Sequence, residues 1–495
     1  MSLPERTDGS WRRQPVVHEV NTWVWLRELG ARRGQPVTLA DVGEAEWEEI
    51  TPVGVDAVWL MGVWERSPAG LTIAWADARN VAEWRSALPD LTDADVVGSP
   101  YSIRRYVVDE SLGGPDALAV ARRTLARRGV RLVLDFVPNH IAPDNLLVEV
   151  DGLPIAGTVL DLTHAPGAWM EVAGRIVARG RDPFFPPWAD VVQLDAFSPA
   201  MRAAMVDTLD SIAGQCDGVR CDVAMLLLDD VFAATWDDHV GAPLALPFWT
   251  EVIGRVRTRH PEFWFCAEVY WNREWDLQQQ GFDHTYDKRA YDCLVYPSPR
   301  ALREHLAGSV EFHTRNMHFL ENHDEKRAAA LLPPPAHRSA AIVVTTLPGA
   351  VLVHEGELDG RRVRLPVFLT RRPPEPVDRE LRWWWLRLLA LSHGVRTGRW
   401  RMIESSGWAA DQTNEQLVSY AWRAPDVEHL VVVNLSEGEA HARVRWAPAA
   451  TTDEFTVVDL LSGEQFERSL IELLGDGLYV SLGPWQAHIL RWTLP

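Results

Sequence analysis

Polar side chains capable of chemistry occur in four clusters, each near the end of a short apolar run. They are Asn139 and His140 in "VRLVLDFVPNH", Arg220 and Asp222 in "GVRCDVAML", Glu268 in "EFWFCAEVYW", and Asn322, His323 and Asp324 in "MHFLENHD". Three carboxylates with two histidines and an arginine make a poor structural core, because burying several acids is costly unless a partner or ligand compensates. The set therefore predicts one functional site, although each cluster alone could be a strand cap or a structural ion pair.

Three acids suit the cleavage of a glycosidic bond. Cleavage with retention needs one ionised carboxylate as nucleophile and one protonated carboxyl as general acid, about 5 Å apart. Arg220 precedes Asp222 by two residues, and its charge favours the ionised form of that acid. Glu268 lies between "FWFCA" and "VYW", and an apolar, aromatic environment raises the pKa of a carboxyl group, as a general acid requires.

Seven apolar runs predict the strands that position these residues. The runs are residues 18–26, 56–64, 130–140, 218–226, 262–271, 317–324 and 349–356. Helical segments separate them, such as 115–129, whose apolar residues recur at helical spacing before a glycine. This alternation indicates a parallel sheet, and seven or eight strands fit a closed (β/α)8 TIM barrel better than an open sheet. Functional residues of such a barrel collect where strands end and loops begin.

Two segments depart from this alternation. Residues 141–197 are rich in Pro, Gly and aromatic residues, and a structureless loop of that length is uncommon in a compact domain. We therefore expect an inserted subdomain, subdomain B, at 141–197, between barrel segments 1–140 and 198–395. After the helical segment 379–394, strand-like runs separated by turn residues predict a C-terminal antiparallel β-sandwich at 396–495.

The composition and the N-terminal residues indicate which binding partners and which cellular location to expect. With 49 Lys and Arg against 69 Asp and Glu, the net charge of −20 argues against nucleic acid or an anionic membrane as partner. The four cysteines form no CxxC pair and no zinc-type cluster with histidine. The N-terminal residues 1–13 lack the apolar region of a signal peptide, and no apolar run approaches the length of a membrane span. We expect a soluble, cytoplasmic protein.

The motifs "DFVPNH", "GVRCDVAML", "AEVYW" and "FLENHD", in this order, resemble the four signature regions of the α-amylase superfamily, glycoside hydrolase family 13. "AVWLMGVWERSP" resembles the second strand of the family and "GSPYSIRRYVVDESLG" its tyrosine-bearing loop, so the resemblance covers nearly the whole chain. It implies that Asp222 is the nucleophile, Glu268 the general acid/base and Asp324 the carboxylate that binds and distorts the sugar. It also implies that four residues contact the same sugar, namely Arg220, His140 and His323, which line its subsite, and Tyr101, which stacks beneath it.

Two features differ from the family pattern. α-Amylases typically have Lys and His three and four residues after the nucleophile, on the leaving-group side, where this chain has Met225 and Leu226. This aliphatic pair resembles members that act on short oligosaccharides or transfer glycosyl groups. Asn139 matches a calcium ligand of the family, but Gln193 stands where α-amylases have an aspartate. Because a hard cation needs several oxygen ligands, we expect no required cofactor, with bound calcium as the alternative.

Three functions remain open at this point. The first is a retaining α-glycoside hydrolase acting on α-glucans or maltooligosaccharides by double displacement. The second is a glycosyl-transferring enzyme of the same family, a transglycosylase or isomerase. The third is a non-catalytic carbohydrate-binding protein on the same barrel, since a fold does not determine its function. The presence of all three acids argues against the third.

Overall fold

Eight parallel strands form a closed barrel in the computed structural model, which describes residues 11–446 and 453–493. The strands are β1 (Val16–Asn21), β2 (Ala57–Met61), β3 (Arg131–Phe136), β4 (Gly218–Cys221), β5 (Trp264–Ala267), β6 (His284–Tyr286), β7 (Asn316–His318) and β8 (Ala350–His354). They follow one another around the barrel in sequence order, and β8 pairs with β1 to close it. The predicted barrel is confirmed.

The chain divides into two compact units. Unit 1 contains Val17–Tyr286 and Val363–Pro374, with the segment that ends at Arg12. Unit 2 contains Arg13–Val16, Asp287–Arg362 and the chain from Glu375 onward. Unit 1 therefore carries the strands that bear Arg220 and Glu268, whereas His323 and Asp324 belong to unit 2.

The barrel strands are buried on both faces, which explains why they consist of nearly continuous apolar residues. All five residues of β2, "AVWLM", are at most 1% exposed. Gly218 begins β4 between β3 and β5, opposite Val133 and Trp264. A Cβ at Gly218 would lie 2.8 Å from both the Cβ and the carbonyl oxygen of Trp264, so this close approach of strands requires glycine.

Helices connect the strands, and several begin with a capping side chain. Ser67 and Ser198 each accept a backbone hydrogen bond at a helix start, and each is followed by proline. The helices of unit 1 are Thr22–Arg33, Glu44–Ile50, Pro68–Ala76, Ala78–Ala87, Gly114–Arg127, Val159–His164, Pro199–Ala213, Asp229–Trp236, Phe248–Arg259 and Glu274–Gln279. Those of unit 2 are Lys288–Val295, Pro299–Leu306, Val310–Thr314, Ala328–Leu331, Pro334–Thr346, Arg379–Val395 and Leu470–Gly475. Among the described residues, no helix combines the length and apolar character needed to cross a membrane.

The long segment after β3 contains small elements of its own. His140–Ile141 pairs antiparallel with Val192–Gln193, and Trp169–Val172 pairs with Arg175–Ala178. A further pair, Trp64–Arg66 with Ile103–Val108, lies between β2 and β3 in sequence.

Two antiparallel sheets follow the helix Arg379–Val395. The first has the strand order Arg399–Met402, Leu417–Arg423, Val427–Asn434, Ala487–Thr493, Glu454–Asp459 and Gln465–Ser469. The second has the order Ser405–Ser406, Ala440–Val444 and Leu478–Leu482. Residues from both sheets share one apolar core that includes Leu430, Val444 and Trp446, so the predicted β-sandwich is confirmed.

Several predicted elements end earlier than expected, and one strand is not among the predicted runs. β1 stops at Asn21, although residues 22–26 are predicted to continue the strand. They begin a helix instead, and the Asn21 side chain caps that helix by accepting from the Val24 N–H. β4 stops at Cys221, and a 3-10 turn, Ala224–Leu227, takes the rest of the run 218–226. β6, "HTY", is too short and too polar to stand out as an apolar run. The N-terminal residues 1–10, which bear on the expected localisation, lie outside the described residues.

Candidate active site

Arg220 connects two of the predicted acids within unit 1. Its Nη1 lies 2.6 Å from Asp222 Oδ1, and its Nη2 lies 2.8 Å from Glu268 Oε2. The exposed fractions of the three side chains are only 2%, 8% and 4% for Arg220, Asp222 and Glu268. A single buried guanidinium thus pairs with two carboxylates that follow adjacent strands.

Backbone hydrogen bonds hold both acids in place beyond the ends of β4 and β5. The Asp222 N–H donates to the Phe136 carbonyl at 2.9 Å, and the Glu268 N–H donates to the Cys221 carbonyl at 3.0 Å. The Glu268 carbonyl in turn accepts from the Ala224 N–H at 3.0 Å. Because the main chain of each acid is bonded to a neighbouring strand or turn, their relative position is set by the barrel before any ligand binds.

The environment of Glu268 is more polar than its aromatic flanks predict. Its Oε2 accepts from the Val223 N–H at 2.7 Å and lies 2.8 Å from Arg220 Nη2, and its Oε1 accepts from the Tyr270 hydroxyl at 3.0 Å. The carboxyl group is buried, but two hydrogen-bond donors and one guanidinium contact it. Hydrogen bonds and charge, and not apolar burial alone, therefore act on this acid.

Three aromatic rings surround the guanidinium of Arg220. Its Cζ lies 5.3 Å from the ring centroid of Trp59, 5.2 Å from that of Tyr101 and 5.9 Å from that of Tyr286. Burial disfavours the charge, but the attraction of Glu268 and the other nearby groups outweighs it and raises the pKa of Arg220 well above its usual range. Arg220 is a permanent cation, and Tyr101 lies beside it.

His140 is a buried, neutral imidazole near Tyr101. Burial lowers the pKa of His140 to about 4, and a backbone hydrogen bond with Tyr101 opposes this only in part. The Asn139 amide nitrogen lies 3.2 Å from His140 Nδ1, and the ring of Trp188 packs at 5.2 Å. His140 can therefore offer a hydrogen bond to a ligand but not a positive charge at neutral pH.

The loops that follow the two acids contain strained backbone. Val223, directly after Asp222, has φ 39° and ψ 45°, a left-handed conformation that is rare for a β-branched residue. Trp271 and Asn272, just after Glu268 and Tyr270, have φ of 64° and 58°. Such strain persists only where the surroundings enforce it, and it is concentrated at functional sites.

His323 and Asp324 follow β7 in unit 2. The His323 Nε2 lies 3.0 Å from Asp324 Oδ2; His323 is buried, and the Asp324 side chain is 46% exposed. The Asn322 Oδ1 accepts from the Asp324 and Glu325 N–H groups, both at 2.9 Å, which shapes the turn. Asp324 is thus an exposed carboxylate in the loop that follows β7, six residues beyond the end of that strand, whereas Asp222 and Glu268 directly follow theirs.

Comparisons with known proteins agree on the architecture. The α-amylase MalA of Haloarcula japonica is 23% identical over 363 residues, which are 72% of this chain but only 45% of that protein. The maltogenic α-amylase AmyB from Thermotoga neapolitana superimposes with a TM-score of 0.68 at 19% identity, over 98% of this chain and 99% of that one. The α-amylase GTA from Geobacillus thermoleovorans, solved in complex with acarbose, gives a TM-score of 0.66 at 16% identity, over 98% and 99%. No protein-family model matches the chain.

The chain has the α-amylase fold. The resemblance stated from the sequence motifs is thereby confirmed for the architecture. The chain spans about half the length of the curated relative that it matches, and the identities to the solved structures are below 20%.

The two positions after Asp222 that depart from the α-amylase pattern are closed to solvent. Met225 and Leu226 belong to the 3-10 turn Ala224–Leu227 and are 2% and 3% exposed. They contribute core packing where α-amylases typically have polar side chains. No lysine or histidine replaces those polar groups within this turn.

Asn139, the residue that matches a calcium ligand of the family, forms an amide pair with Gln193. Gln193 Nε2 donates to the Asn139 Oδ1 and main-chain oxygen, both at 2.9 Å, and Asn139 Nδ2 donates to Gln193 Oε1 at 3.2 Å. Both side chains are buried. The side-chain oxygens of this pair already accept amide hydrogens, and the pair lacks the carboxylate charge that a hard cation prefers.

Several residues around the acids are not among the predicted site residues. Tyr270 lies inside the quoted motif "AEVYW", and its spacing of two from Glu268 is a signal that could have identified it. Trp59 lies in the second predicted strand, but nothing in that apolar run marks the residue that contacts Arg220. Tyr286 could not be identified from the sequence because its strand, β6, is not among the predicted strands.

Proposed function

We propose that this protein is a retaining α-glycoside hydrolase that cleaves α-glucosidic bonds of α-glucans or maltooligosaccharides. The observation that carries this proposal is the single buried Arg220 that contacts both Asp222 and Glu268. One guanidinium between two carboxylates is compatible with the separation of about 5 Å that retaining glycosidases use. An inverting enzyme would instead need its two acids farther apart, with a water molecule between them.

The reaction proceeds in two displacements. An Asp222 oxygen attacks the anomeric carbon while Glu268 gives its proton to the departing glycosidic oxygen, which leaves a glycosyl ester on Asp222. Glu268, now a carboxylate, takes a proton from water, and the oxygen of that water displaces Asp222 from the anomeric carbon. Two inversions restore the α configuration, and the general acid ends in its original protonation state.

The surrounding residues have distinct parts in this scheme. Arg220 pairs with Asp222 at 2.6 Å and orients it for attack. Tyr270 and the Val223 N–H position Glu268 through the hydrogen bonds described above. By the resemblance, Asp324 binds and distorts the sugar, His140 and His323 contact it, and Tyr101 stacks beneath it.

The substrate class rests on the related proteins. MalA is an α-amylase, AmyB is a maltogenic α-amylase, and GTA is an α-amylase in complex with acarbose. The −20 net charge suits a neutral carbohydrate better than a polyanion. An α-glucan or maltooligosaccharide is therefore the proposed substrate, and no nucleic acid is expected as partner.

Glycosyl transfer is the second candidate, and one observation favours it. Met225 and Leu226 replace polar groups of the leaving-group side with buried aliphatic ones. An apolar side chain cannot hydrogen-bond a sugar hydroxyl, so capture of a long glucan on that side is weakened and short acceptors are favoured. If a sugar hydroxyl enters before water does, the same Asp222 ester yields a transfer product.

The deciding experiment is a time course of products from maltose, maltoheptaose, soluble starch, trehalose and sucrose. We expect hydrolysis of the α-glucans, with the α-anomer as the first-formed product in proton NMR spectra. A first-formed β-anomer would refute retention. Transfer products that exceed hydrolysis products from the start would favour the second candidate, and no turnover of any substrate would favour a binding protein.

A further inference from the structure

A second cluster of potential ligands lies in unit 2 and shares no residue with the proposed catalytic site. Asp287, His305 and His313 each place one oxygen or nitrogen ligand atom such that all three atoms lie within 4.8 Å of one another. Asp287 is the capping residue of the helix Lys288–Val295, His305 lies on Pro299–Leu306, and His313 lies on Val310–Thr314. The cluster therefore joins three helices.

Contacts within the protein account for both carboxylate oxygens of Asp287. Its Oδ1 accepts from the Ala290 N–H at 2.9 Å, as a helix cap does. Its Oδ2 lies 2.9 Å from His305 Nε2, 3.0 Å from Asn316 Nδ2 and 3.3 Å from His318 Nδ1. These contacts fix both oxygens of the carboxylate, which is buried with a side-chain exposure of 1%.

Contacts within the protein do not satisfy the two ring nitrogens of His313. It is 0% exposed, and neither Nδ1 nor Nε2 makes a hydrogen bond. The backbone of His305 interacts with the ring, and one backbone carbonyl can satisfy at most one of the two ring nitrogens. Even a neutral imidazole carries one N–H and one lone pair, and buried groups of this kind are nearly always satisfied.

Packing determines the orientation of the His313 ring. Its centroid lies 5.1 Å from that of Phe312, 5.2 Å from that of His305 at an angle of 86°, and 5.9 Å from that of Trp400. A Cβ at Gly308 would come within 3.1 Å of Nε2, so the loop before this helix also approaches the ring closely. The chain thus holds a polar ring rigidly beside a buried carboxylate and a second imidazole.

We propose that Asp287, His305 and His313 bind one first-row divalent metal ion, for which zinc is the best match. Two imidazole nitrogens and one carboxylate oxygen are donors that zinc accepts in a tetrahedral site, with one further position for water. An ion between them would satisfy a nitrogen of His313 and replace the direct contact of His305 with Asp287. His318 donates Nε2–H to the Pro348 carbonyl at 2.8 Å, and with Asn316 it would orient Asp287 from outside the ligand set.

The test uses the full-length protein, first stripped with a chelator and then titrated with ZnCl2. We expect about one equivalent of zinc by elemental analysis after gel filtration, with a rise in melting temperature. Cobalt(II) should bind at the same stoichiometry and give the visible absorption of a four-coordinate ion. No binding of zinc or cobalt above the background of a non-metalloprotein would overturn the proposal.

Matched variants locate the ion. His313→Gln and His305→Gln should each reduce bound zinc to about a tenth of an equivalent or less, while His337→Gln, the same change at another buried histidine of unit 2, should leave it at about one. Equal zinc in all three variants would place the ion elsewhere and refute the site.

Should the ligand variants fail to fold, the wild-type protein decides. Crystals grown with zinc should show an anomalous difference peak between Asp287, His305 and His313. A peak elsewhere, or none, would overturn the proposal. These measurements do not involve glycoside turnover, so failure of the metal site and failure of the proposed function can be told apart.

Discussion

Asp222→Asn is the sharpest test of the proposed mechanism, because it removes the nucleophilic charge and preserves the shape. Arg220 keeps a carboxylate partner after this change, since Glu268 Oε2 lies 2.8 Å from its Nη2. The Asp222 N–H bond to Phe136 involves only the main chain and is unaffected. We therefore expect the variant to fold, with a melting temperature close to that of the wild type.

The expected loss of activity is large. An amide cannot form the glycosyl ester, so the two-step route is closed and only a slow background remains. Loss of a nucleophile of this kind lowers kcat/KM by about 10³- to 10⁵-fold, equivalent to about 4 to 7 kcal/mol of transition-state stabilisation.

The assay compares two substrates and two acids. Fluoride departs without protonation, so Glu268→Gln should still release a first equivalent of fluoride from α-glucosyl fluoride, although later turnovers slow because the second displacement lacks its base. The same variant should lose most of its activity on maltotriose. Asp222→Asn should lose activity on both substrates. Asp229→Asn, the same change at a half-buried acid beyond the 3-10 turn, serves as the control and should remain near the wild-type rate. Activity of Asp222→Asn within a few-fold of the wild type on either substrate would refute the assignment.

Four further predictions concern hydrogen bonding, substrate length, calcium and pH. Tyr270→Phe removes the hydroxyl 3.0 Å from Glu268 Oε1, and we expect kcat/KM to fall about tenfold with a shifted pH profile; unchanged kinetics would limit Tyr270 to packing. Because Met225 and Leu226 offer no polar group on the leaving-group side, kcat/KM per bond should be higher for maltotriose than for starch; early collapse of starch viscosity before reducing ends accumulate would contradict this. Calcium added to the metal-depleted protein should change neither activity nor melting temperature, because the buried amide pair already uses its side-chain oxygens; recovery on calcium addition would reveal a calcium site. Burial lowers the pKa of His337 from 6.5 to about 4. Between these pH values the unfolded chain binds more protons than the folded protein does. The free energy of unfolding therefore decreases as the pH falls through this window. His337→Gln should flatten the dependence of the urea midpoint on pH in that window, and a slope equal to that of the wild type would count against the argument.

The barrel was predictable because its strands are covered on both faces and therefore consist of continuous apolar residues. The same criterion failed for β6, since "HTY" contains a single aromatic residue between polar neighbours. Continuous apolar sequence also predicted two strands that are too long, because a run of apolar residues does not show where a helix cap or a tight turn ends the strand. Asn21 ends β1 through a side-chain hydrogen bond, and Cys221 ends β4 just before the left-handed Val223.

The candidate site was predictable to the extent that its residues stand at strand ends. Arg220, Asp222 and Glu268 come together because neighbouring parallel strands end side by side. The contacts that refine the site depend on side-chain direction, which spacing does not encode. The Tyr270 hydroxyl and the exchange of amide hydrogens between Asn139 and Gln193 are of this kind. The cluster around His313 has irregular spacing along the chain and matches no ligand motif.

The left-handed residues after the two acids have a consequence for how far this protein can be stabilised. Val223 and Trp271 each hold a conformation that costs a residue with a side chain about 1 to 2 kcal/mol, whereas Asn272 adopts it more readily. Glycine at Val223 or Trp271 would relieve that cost, which makes these positions candidates for raising the melting temperature. Yet the Val223 N–H binds Glu268, and Trp271 follows the tyrosine that binds the same acid. A gain in thermal stability at these positions would therefore loosen Glu268, the proposed general acid. Stabilising substitutions are better placed outside these two loops.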